Sequence, residues 1–268
     1  MTNFNVNGKV AVVTGGTRGL GLYCAETLVE NGASTVVITS RKASACEEAK
    51  KYLEKVAADN KTSTKIIAIA ADLAVEQEVL DFADKVKSQI DRLDILIANA
   101  GASWGSPFHE HPVSAMKKVL TLNVIGVFHT IQVFGSLLEK SGTPTDPARV
   151  IVMSSVIALN PYEPVGTYGY LASKAGVTHM AKNLALQLGP KNITVNCLAP
   201  GFFPTKMANG MIEAAGDILV DSNPRQRLGE KEDIQAATIF LCSKQANYIN
   251  GAVLPIDGGA HLGPASKF

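Results

Sequence analysis

The feature that most constrains this chain is an alternation of short, apolar, β-branched runs with longer helical segments. The strand candidates are residues 10–14, 35–40, 66–70, 95–99, 150–153, 194–199 and 253–256. Several of them are apolar without interruption, which is typical of parallel strands buried on both faces. Helical stretches lie between them at residues 20–31, 43–58, 76–91, 114–139, 170–188 and 231–243. This spacing predicts right-handed βαβ units and a doubly wound, three-layer α/β/α fold.

Size and composition indicate one large domain. The chain has 268 residues, of which 46% are hydrophobic and 18% charged, and this balance excludes intrinsic disorder. No repeat, low-complexity tract or linker interrupts it, so we predict a single domain over residues 1–268. Lys and Arg number 25 against 24 Asp and Glu, and the resulting net charge of +1 argues against a nucleic-acid binder.

Targeting signals and cysteines predict a soluble cytoplasmic protein. The N-terminus lacks the features of a secretory signal, and no apolar stretch approaches the ~20 residues that span a bilayer. Cys24, Cys46, Cys197 and Cys242 are scattered, which favours reduced, mostly buried thiols over a disulfide frame or a zinc site. We expect no metal. The last three residues, at 266–268, read S-K-F and are close to the S-K-L peroxisomal address, so partial peroxisomal import is an alternative, although an ordinary polar tail is favoured.

A glycine-rich loop follows the first strand and opens the first helix. It reads T-G-G-T-R-G-L-G over residues 14–21. Glycines there allow a tight turn and a close approach to a pyrophosphate, which the helix N-terminus attracts. The candidate contacts are Gly15, Thr17, Arg18, Gly19 and Leu20. The alternative is a tight strand–helix turn without a ligand.

The end of the second strand indicates which dinucleotide such a loop would bind. A site for NAD places an acidic residue there to bind the ribose 2′-hydroxyl, whereas this chain has Ser40 followed by Arg41. Arg41 and Arg18 together could hold a 2′-phosphate, which a carboxylate would repel. Either arginine alone would more often be a solvated loop charge. The pair favours NADP(H).

A serine, a tyrosine and a lysine form a candidate catalytic set. Tyr170 and Lys174 are spaced i, i+4 and therefore share one helical face. A neighbouring ammonium stabilises a phenolate, so we expect Lys174 to lower the pKa of Tyr170 towards the range useful for acid–base catalysis. Ser155 follows a strand at the carboxyl edge of the sheet, where its hydroxyl can polarise a substrate carbonyl. An exposed i, i+4 pair and a turn-forming serine are the structural alternatives.

These motifs, in this order, resemble the short-chain dehydrogenase/reductases, together with Asn99-Ala100-Gly101 and Pro200-Gly201. The resemblance runs from Lys9 to about Gly259. It implies a Rossmann-type fold with a seven-stranded parallel sheet and, usually, a homotetramer.

The resemblance also implies roles for residues at matching positions. Tyr170 would be the acid/base, Lys174 the ribose clamp that shifts its pKa, Ser155 the carbonyl polariser and Asn123 the helix-kinking asparagine of the proton relay. Further cofactor contacts are implied by position: adenine for Asp72 and Leu73, the adenosine ribose for Asn99, Ala100 and Gly101, and the nicotinamide and pyrophosphate for Pro200, Gly201, Phe203 and Thr205.

Within the family, the chain is most similar to the 3-oxoacyl-[acyl-carrier-protein] reductases of rhamnolipid type and their fungal relatives. This similarity depends on residues 102–105, 111–114, 147–150 and 256–259. Two departures stand out. The stretch from Ser155 to Tyr170 is slightly longer than usual and contains Pro161 and Pro164, and Phe203 replaces a common isoleucine or valine.

The function expected from the sequence is NADPH-dependent reduction of a ketone, with a 3-oxoacyl substrate suggested. A 2,4-dienoyl-CoA reductase is an alternative, but such enzymes generally lack the tyrosine that Tyr170 supplies. A cofactor-sensing regulator is another, but its catalytic set would usually be damaged. The substrate is left open. An apolar lid or a buried core helix would explain Phe202, Phe203, Met207, Met211 and Ile212, and His109 and His111 are either entrance or surface-loop residues.

Overall fold

A computed structural model describes residues 4–161 and 165–263 of the chain, apart from the side chains of residues 214 and 215. Two features discussed above lie outside the described residues: Pro164, in the long loop before Tyr170, and the tail at residues 266–268 that resembles a peroxisomal address.

The described part of the chain contains one seven-stranded sheet in which every pair of neighbours is parallel. The strands are β1 (Val10–Thr14), β2 (Thr35–Ser40), β3 (Lys65–Ala70), β4 (Ile95–Ala98), β5 (Ala148–Met153), β6 (Ile193–Pro200) and β7 (Val253–Ile256). Their order is β3-β2-β1-β4-β5-β6-β7. The predicted Rossmann-type sheet is confirmed, and no strand boundary differs from its prediction by more than two residues. The order reverses between β1 and β4, so their carboxyl ends open a crevice of the kind in which α/β proteins bind ligands.

Helices cover both faces of this sheet. They are α1 (Gly19–Glu30), α2 (Ala43–Asp59), α3 (Glu76–Lys87), α4 (Val113–Leu120), α5 (Val127–Ser141), α6 (Tyr168–Leu188), α7 (Asn209–Ser222) and α8 (Lys231–Cys242). The stretch predicted as one helix at 114–139 is interrupted by a π-helical turn, Thr121–Gly126. None of the described side chains of α7 is buried, so the buried core helix considered for Met211 and Ile212 is excluded.

Two apolar cores hold the three layers together. On one face, Leu28 of α1, Leu53 of α2 and Leu241 of α8 pack with strand residues such as Val13. On the other face, α3, α5 and α6 pack against residues such as Val12. Neighbouring strand residues therefore supply opposite cores, which explains why the strands are apolar at nearly every position. All four cysteines are buried and unpaired, as expected.

The longest helical stretch corrects one expectation from the sequence. α4, the π-helical turn and α5 form a continuous helix over Val113–Ser141 that is long and apolar enough to cross a membrane by length and composition. The prediction that no stretch approaches that length was therefore too strict. Ile131, Phe134 and Leu138 on this helix lie in the core against the sheet, which is how a core helix packs.

Candidate active site

The glycine loop and the end of β4 form a close-packed backbone cradle. Gly15 has a φ of +63°, and a methyl group there would lie 2.8 Å from Asn99 Nδ2. A methyl group at Gly21 would lie 2.3 Å from the same atom and 2.3 Å from the Gly15 carbonyl oxygen. These contacts leave no room for a side chain on either glycine.

Asn99 and Thr14 lock this cradle by hydrogen bonds. Asn99 Nδ2 donates to the carbonyl oxygens of Thr14 and Gly15, at 2.8 and 3.2 Å. Thr14 Oγ1 accepts from the backbone N–H groups of Asn99 and Ala100, at 2.9 and 3.0 Å. The loop after β4 and the glycine loop are therefore one rigid unit at the point where the strand order reverses, next to the N-terminus of α1.

The outer rim of the cradle is basic at the end of β2. Arg18 is exposed at the N-terminus of α1, and Arg41 is exposed after Ser40. The nearest acid to Arg41 is Asp72, whose Oδ2 lies 4.0 Å from Arg41 Nη1. This separation is at the limit of an ion pair on an exposed rim, where such pairs stabilise little. Both guanidinium groups can therefore turn towards a phosphate.

The loop after β6 approaches the glycine loop from the other side. Thr205 lies against Gly19, where an added methyl group would be 3.4 Å from Thr205 Cγ2. Gly201 packs on Asp257, since a methyl group there would be 2.8 Å from Asp257 Cβ. Phe203 is different: its ring fills the space over Gly229 and belongs to the core. The Phe203 side chain therefore faces the interior, and only its backbone remains for a cofactor contact.

Ser155, Tyr170 and Lys174 converge at the carboxyl end of β5. Ser155 caps the short 3₁₀ turn Val156–Ala158, and its hydroxyl hydrogen-bonds to Tyr170. Lys174 Nζ donates to the Met153 carbonyl oxygen at 2.7 Å and lies 5.5 Å from the centre of the Tyr170 ring. The helical spacing and the strand end therefore bring the predicted residues together.

The pKa values at this site differ in direction from what the i, i+4 spacing suggested. Burial raises the pKa of the Tyr170 phenol, and the hydrogen bond from Ser155 lowers it only in part. Burial also lowers the pKa of Lys174 to about 8. The expected lowering by Lys174 does not appear, because its ammonium is turned to the Met153 carbonyl and lies over the ring.

Asn123 is held inside the π-helical turn and is buried. Its Oδ1 accepts from the Ala102 N–H, and its Nδ2 donates to the Ala102 carbonyl oxygen and to Ser173 Oγ, each at 2.9 Å. Ser173, which the sequence analysis missed, donates in turn to the Tyr170 carbonyl oxygen at 2.7 Å. The Asn123 side chain thus fastens the π turn to both the loop after β4 and the helix that carries Tyr170.

The mouth of the site is aromatic on the side of β4 and β5. Phe108 packs edge-to-face on Tyr168, with ring centres 5.8 Å apart, and the His111 ring also packs edge-to-face with Tyr168, with ring centres 5.4 Å apart. Trp104, Phe108 and Tyr168 all remain well exposed. His111 therefore packs on Tyr168 and His109 packs on Phe108, and whether either histidine lines the entrance stays a prediction.

Most of the predicted site residues border the crevice, whereas the side chain of Leu73 is buried away from it. The glycine loop, Asn99, Ala100, Gly101, Pro200, Gly201 and Thr205 border the crevice at the carboxyl edge, and Asn123 and Lys174 both lie close to Gly101. Leu73 is buried, and its carbonyl oxygen faces Gly126. Only its backbone and the neighbouring Asp72 can serve an adenine contact.

The chain is similar over nearly its full length to oxidoreductases. Residues 15–261 match the family model described as enoyl-(acyl carrier protein) reductase. The chain is 38% identical to the rhamnolipids biosynthesis 3-oxoacyl-[acyl-carrier-protein] reductase of Pseudomonas aeruginosa, covering 97% of this chain and 98% of that protein. It is 30% identical to the short-chain dehydrogenase/reductase PhomF of Diaporthe leptostromiformis, covering 96% and 92%. The solved Pseudomonas aeruginosa RhlG/NADP active-site complex superposes with a TM-score of 0.90 and 37% identity, covering 96% of this chain and 98% of that one.

Proposed function

The chain belongs to the short-chain dehydrogenase/reductase family, and from this membership we propose that it is an NADPH-dependent oxidoreductase that reduces a ketone to a secondary alcohol. The observation that carries the proposal is the convergence of Ser155, Tyr170 and Lys174 beside the glycine cradle. A 3-oxoacyl thioester is the substrate that we favour, because the relative from Pseudomonas aeruginosa is described as a 3-oxoacyl-[acyl-carrier-protein] reductase.

The residues present fit NADP(H). The cradle at Gly15 and Gly21 admits only backbone, as a close approach to a pyrophosphate requires. Arg18 and Arg41 are exposed and free to bind a 2′-phosphate, and no acid follows β2 to repel it. The relative solved with NADP supports the same assignment. When bound, NADPH supplies the hydride that is transferred to the carbonyl carbon.

The chain's own residues complete the reaction by handling the oxygen. Tyr170 donates its phenolic proton to the carbonyl oxygen as negative charge develops there. Ser155 donates a hydrogen bond to the same oxygen. Lys174 holds the ribose and resupplies the proton to Tyr170. Asn123 keeps the helix of Tyr170 in place through Ser173. With this set intact, the dienoyl-CoA reductase and the regulator without turnover are less well supported.

The experiment that tests this function is NADPH oxidation with a panel of 3-oxoacyl thioesters and simple ketones, using wild type and Tyr170→Phe. The substitution removes the proton donor and keeps the ring, so turnover should fall by at least ~10²-fold. NADPH binding, followed by fluorescence titration, should largely survive. Near-normal turnover in Tyr170→Phe would overturn the assignment of the acid.

We further propose a homotetramer in the cytosol. Ile125 and Phe128 expose apolar surface on the long helix, beside an open cavity of about 350 Å³. Leu186 exposes another apolar side chain on α6. Apolar surface of this kind, placed on helices, favours association. The comparisons give peroxisomal import no support.

A further inference from the structure

A histidine and a carboxylate pair at the end of β7, on a part of the carboxyl edge to which the proposed reaction assigns no residue. Asp257 follows β7, and its side chain is only 3% exposed. Its oxygens accept from the backbone N–H groups of Gly259 and His261, at 3.0 and 2.8 Å. His261 Nδ1 donates to Asp257 Oδ2 at 2.7 Å. The carboxylate thus closes the turn and also fixes the imidazole.

This arrangement prepares the other nitrogen of His261 to accept a hydrogen bond. In the neutral imidazole, Nδ1 carries the proton that Asp257 binds, and Nε2 keeps its lone pair. In the part of the chain that the structure describes, Nε2 has no hydrogen-bond partner, and the side chain is 24% exposed. The buried carboxylate would neutralise a protonated imidazole, so the pair attracts an anion weakly. An uncharged N–H donor is therefore a better hydrogen-bond partner for Nε2 of His261 than an anion.

The pair lies between two loops of the active site. Asn160 Nδ2 donates to the His261 carbonyl oxygen at 3.4 Å, and Asn160 follows the 3₁₀ turn that Ser155 caps. On the other side, Asp257 packs on Gly201. β7 is two strands from β5 in the sheet, a distance of about 10 Å. The backbone of His261 therefore contacts the loop that begins at Ser155, next to the catalytic residues.

We propose that His261, held by Asp257, is a specificity-determining residue that accepts a hydrogen bond from an amide N–H of the substrate's carrier arm. This inference rests on the proposed reduction of a 3-oxoacyl thioester. In a pantetheine thioester, the amide nitrogen nearest the sulfur lies six bonds from the ketone carbon, about 8 Å when extended. That span fits the separation between the catalytic residues and the end of β7.

The test compares His261→Phe and His261→Gln with wild type on three substrates. These are acetoacetyl-pantetheine, its analogue with an N-methyl group on the amide nearest the sulfur, and ethyl acetoacetate, which has the ketone without the arm. His261→Phe keeps a ring and removes the acceptor, whereas glutamine retains an acceptor oxygen. The backbone hydrogen bonds of Asp257 do not involve the imidazole, so both variants should fold.

Loss of one hydrogen bond should lower kcat/KM of His261→Phe for acetoacetyl-pantetheine by about 3- to 10-fold, through KM. Ethyl acetoacetate should be reduced at the wild-type rate, and His261→Gln should recover part of the loss. N-methylation should lower kcat/KM of wild type by a similar factor and leave that of His261→Phe unchanged.

Equal effects of His261→Phe on the thioester and the ethyl ester would overturn the inference, as would no effect on either. A wild type that reduces ethyl acetoacetate but not the thioester would also overturn it, while the reductase activity would stand. A wild type that reduces neither the thioester nor any other ketone would refute the proposed function, and this inference with it.

Discussion

Replacing Lys174 with methionine should stabilise the protein without its cofactor while damaging its activity. Burial lowers the pKa of Lys174 from 10.5 to about 8. A shift of this size means that holding the ammonium inside the protein costs about 3 kcal/mol at neutral pH. Methionine removes that cost and fills similar space, but leaves the Met153 carbonyl without its donor, which costs about 1–3 kcal/mol. The net gain should be about 0 to 2 kcal/mol.

The pH dependence of this gain is a stricter test than its size. Below pH 8 the lysine is protonated in both the folded and the unfolded protein, and the cost of burial is fully present. As the pH rises through about 8, the folded protein loses this proton first, so wild type becomes more stable relative to the variant. Between pH 7 and pH 9, the advantage of Lys174→Met should shrink by about 1 kcal/mol.

Urea unfolding of the cofactor-free proteins at pH 7, 8 and 9 measures this difference. Measurements should stop at pH 9, because burial raises the pKa of Cys24 to about 11 and of Cys197 to about 12. In the unfolded chain those thiols ionise with an ordinary pKa of about 9, so above pH 9 their ionisation lowers the stability of both proteins steeply. Lys174→Arg, which stays charged, is the control without the pH-dependent change. A constant difference between wild type and Lys174→Met across this range would refute the reasoning.

Three further variants probe the cofactor rim, the π-helical turn and the exposed helix. Wild type should strongly prefer NADPH, and Ser40→Asp combined with Arg41→Ala should shift kcat/KM towards NADH; equal values for both cofactors in wild type would reject the role of the rim. Gly126→Ala should lower the free energy of unfolding by about 1–3 kcal/mol, because the new methyl group would lie 2.4 Å from the Leu73 carbonyl oxygen; an unchanged urea midpoint would contradict this packing. Ile125→Glu should reduce the mass measured by light scattering below that of a tetramer, and a wild-type monomer would exclude the proposed assembly.

The sheet and most of the site could be predicted because their signals are local. Parallel strands buried on both faces must be apolar at successive positions, and this pattern gave all seven strands. Asn99 follows the β4 run directly, so its place beside the glycine loop follows from the parallel order alone. Tyr170 and Lys174 share a face by helical spacing, whatever packs around them.

What could not be predicted depends on contacts between segments that are distant in sequence. The sequence suggested that Phe203 is a cofactor contact or part of a lid. In the structure, its ring packs over Gly229 in the core. The pKa of Lys174 is lowered because the protein buries it, and burial is invisible in a Y-x-x-x-K motif. The orientation of the His261 imidazole is fixed by the Asp257 carboxylate, four residues earlier in the chain. The sequence does not show that this pair lies at the carboxyl edge of the sheet, because that depends on the pairing of β7 with β6.

The loop after β4 and the segment before α6 are tightly joined beside the active site. Gly166 has a φ of +74°, and a methyl group there would lie 2.1 Å from the Ser106 carbonyl oxygen. The aromatic loop after β4 and the segment before α6 are therefore packed backbone to backbone, and Tyr168 holds them together through Phe108. Because Tyr168 and Tyr170 both belong to the first turn of α6, this joined pair of loops lies beside the start of the helix that carries the proposed acid. Substitutions in these loops should therefore change which ketone is reduced, while the hydride chemistry, held by β1, β4 and β5, persists.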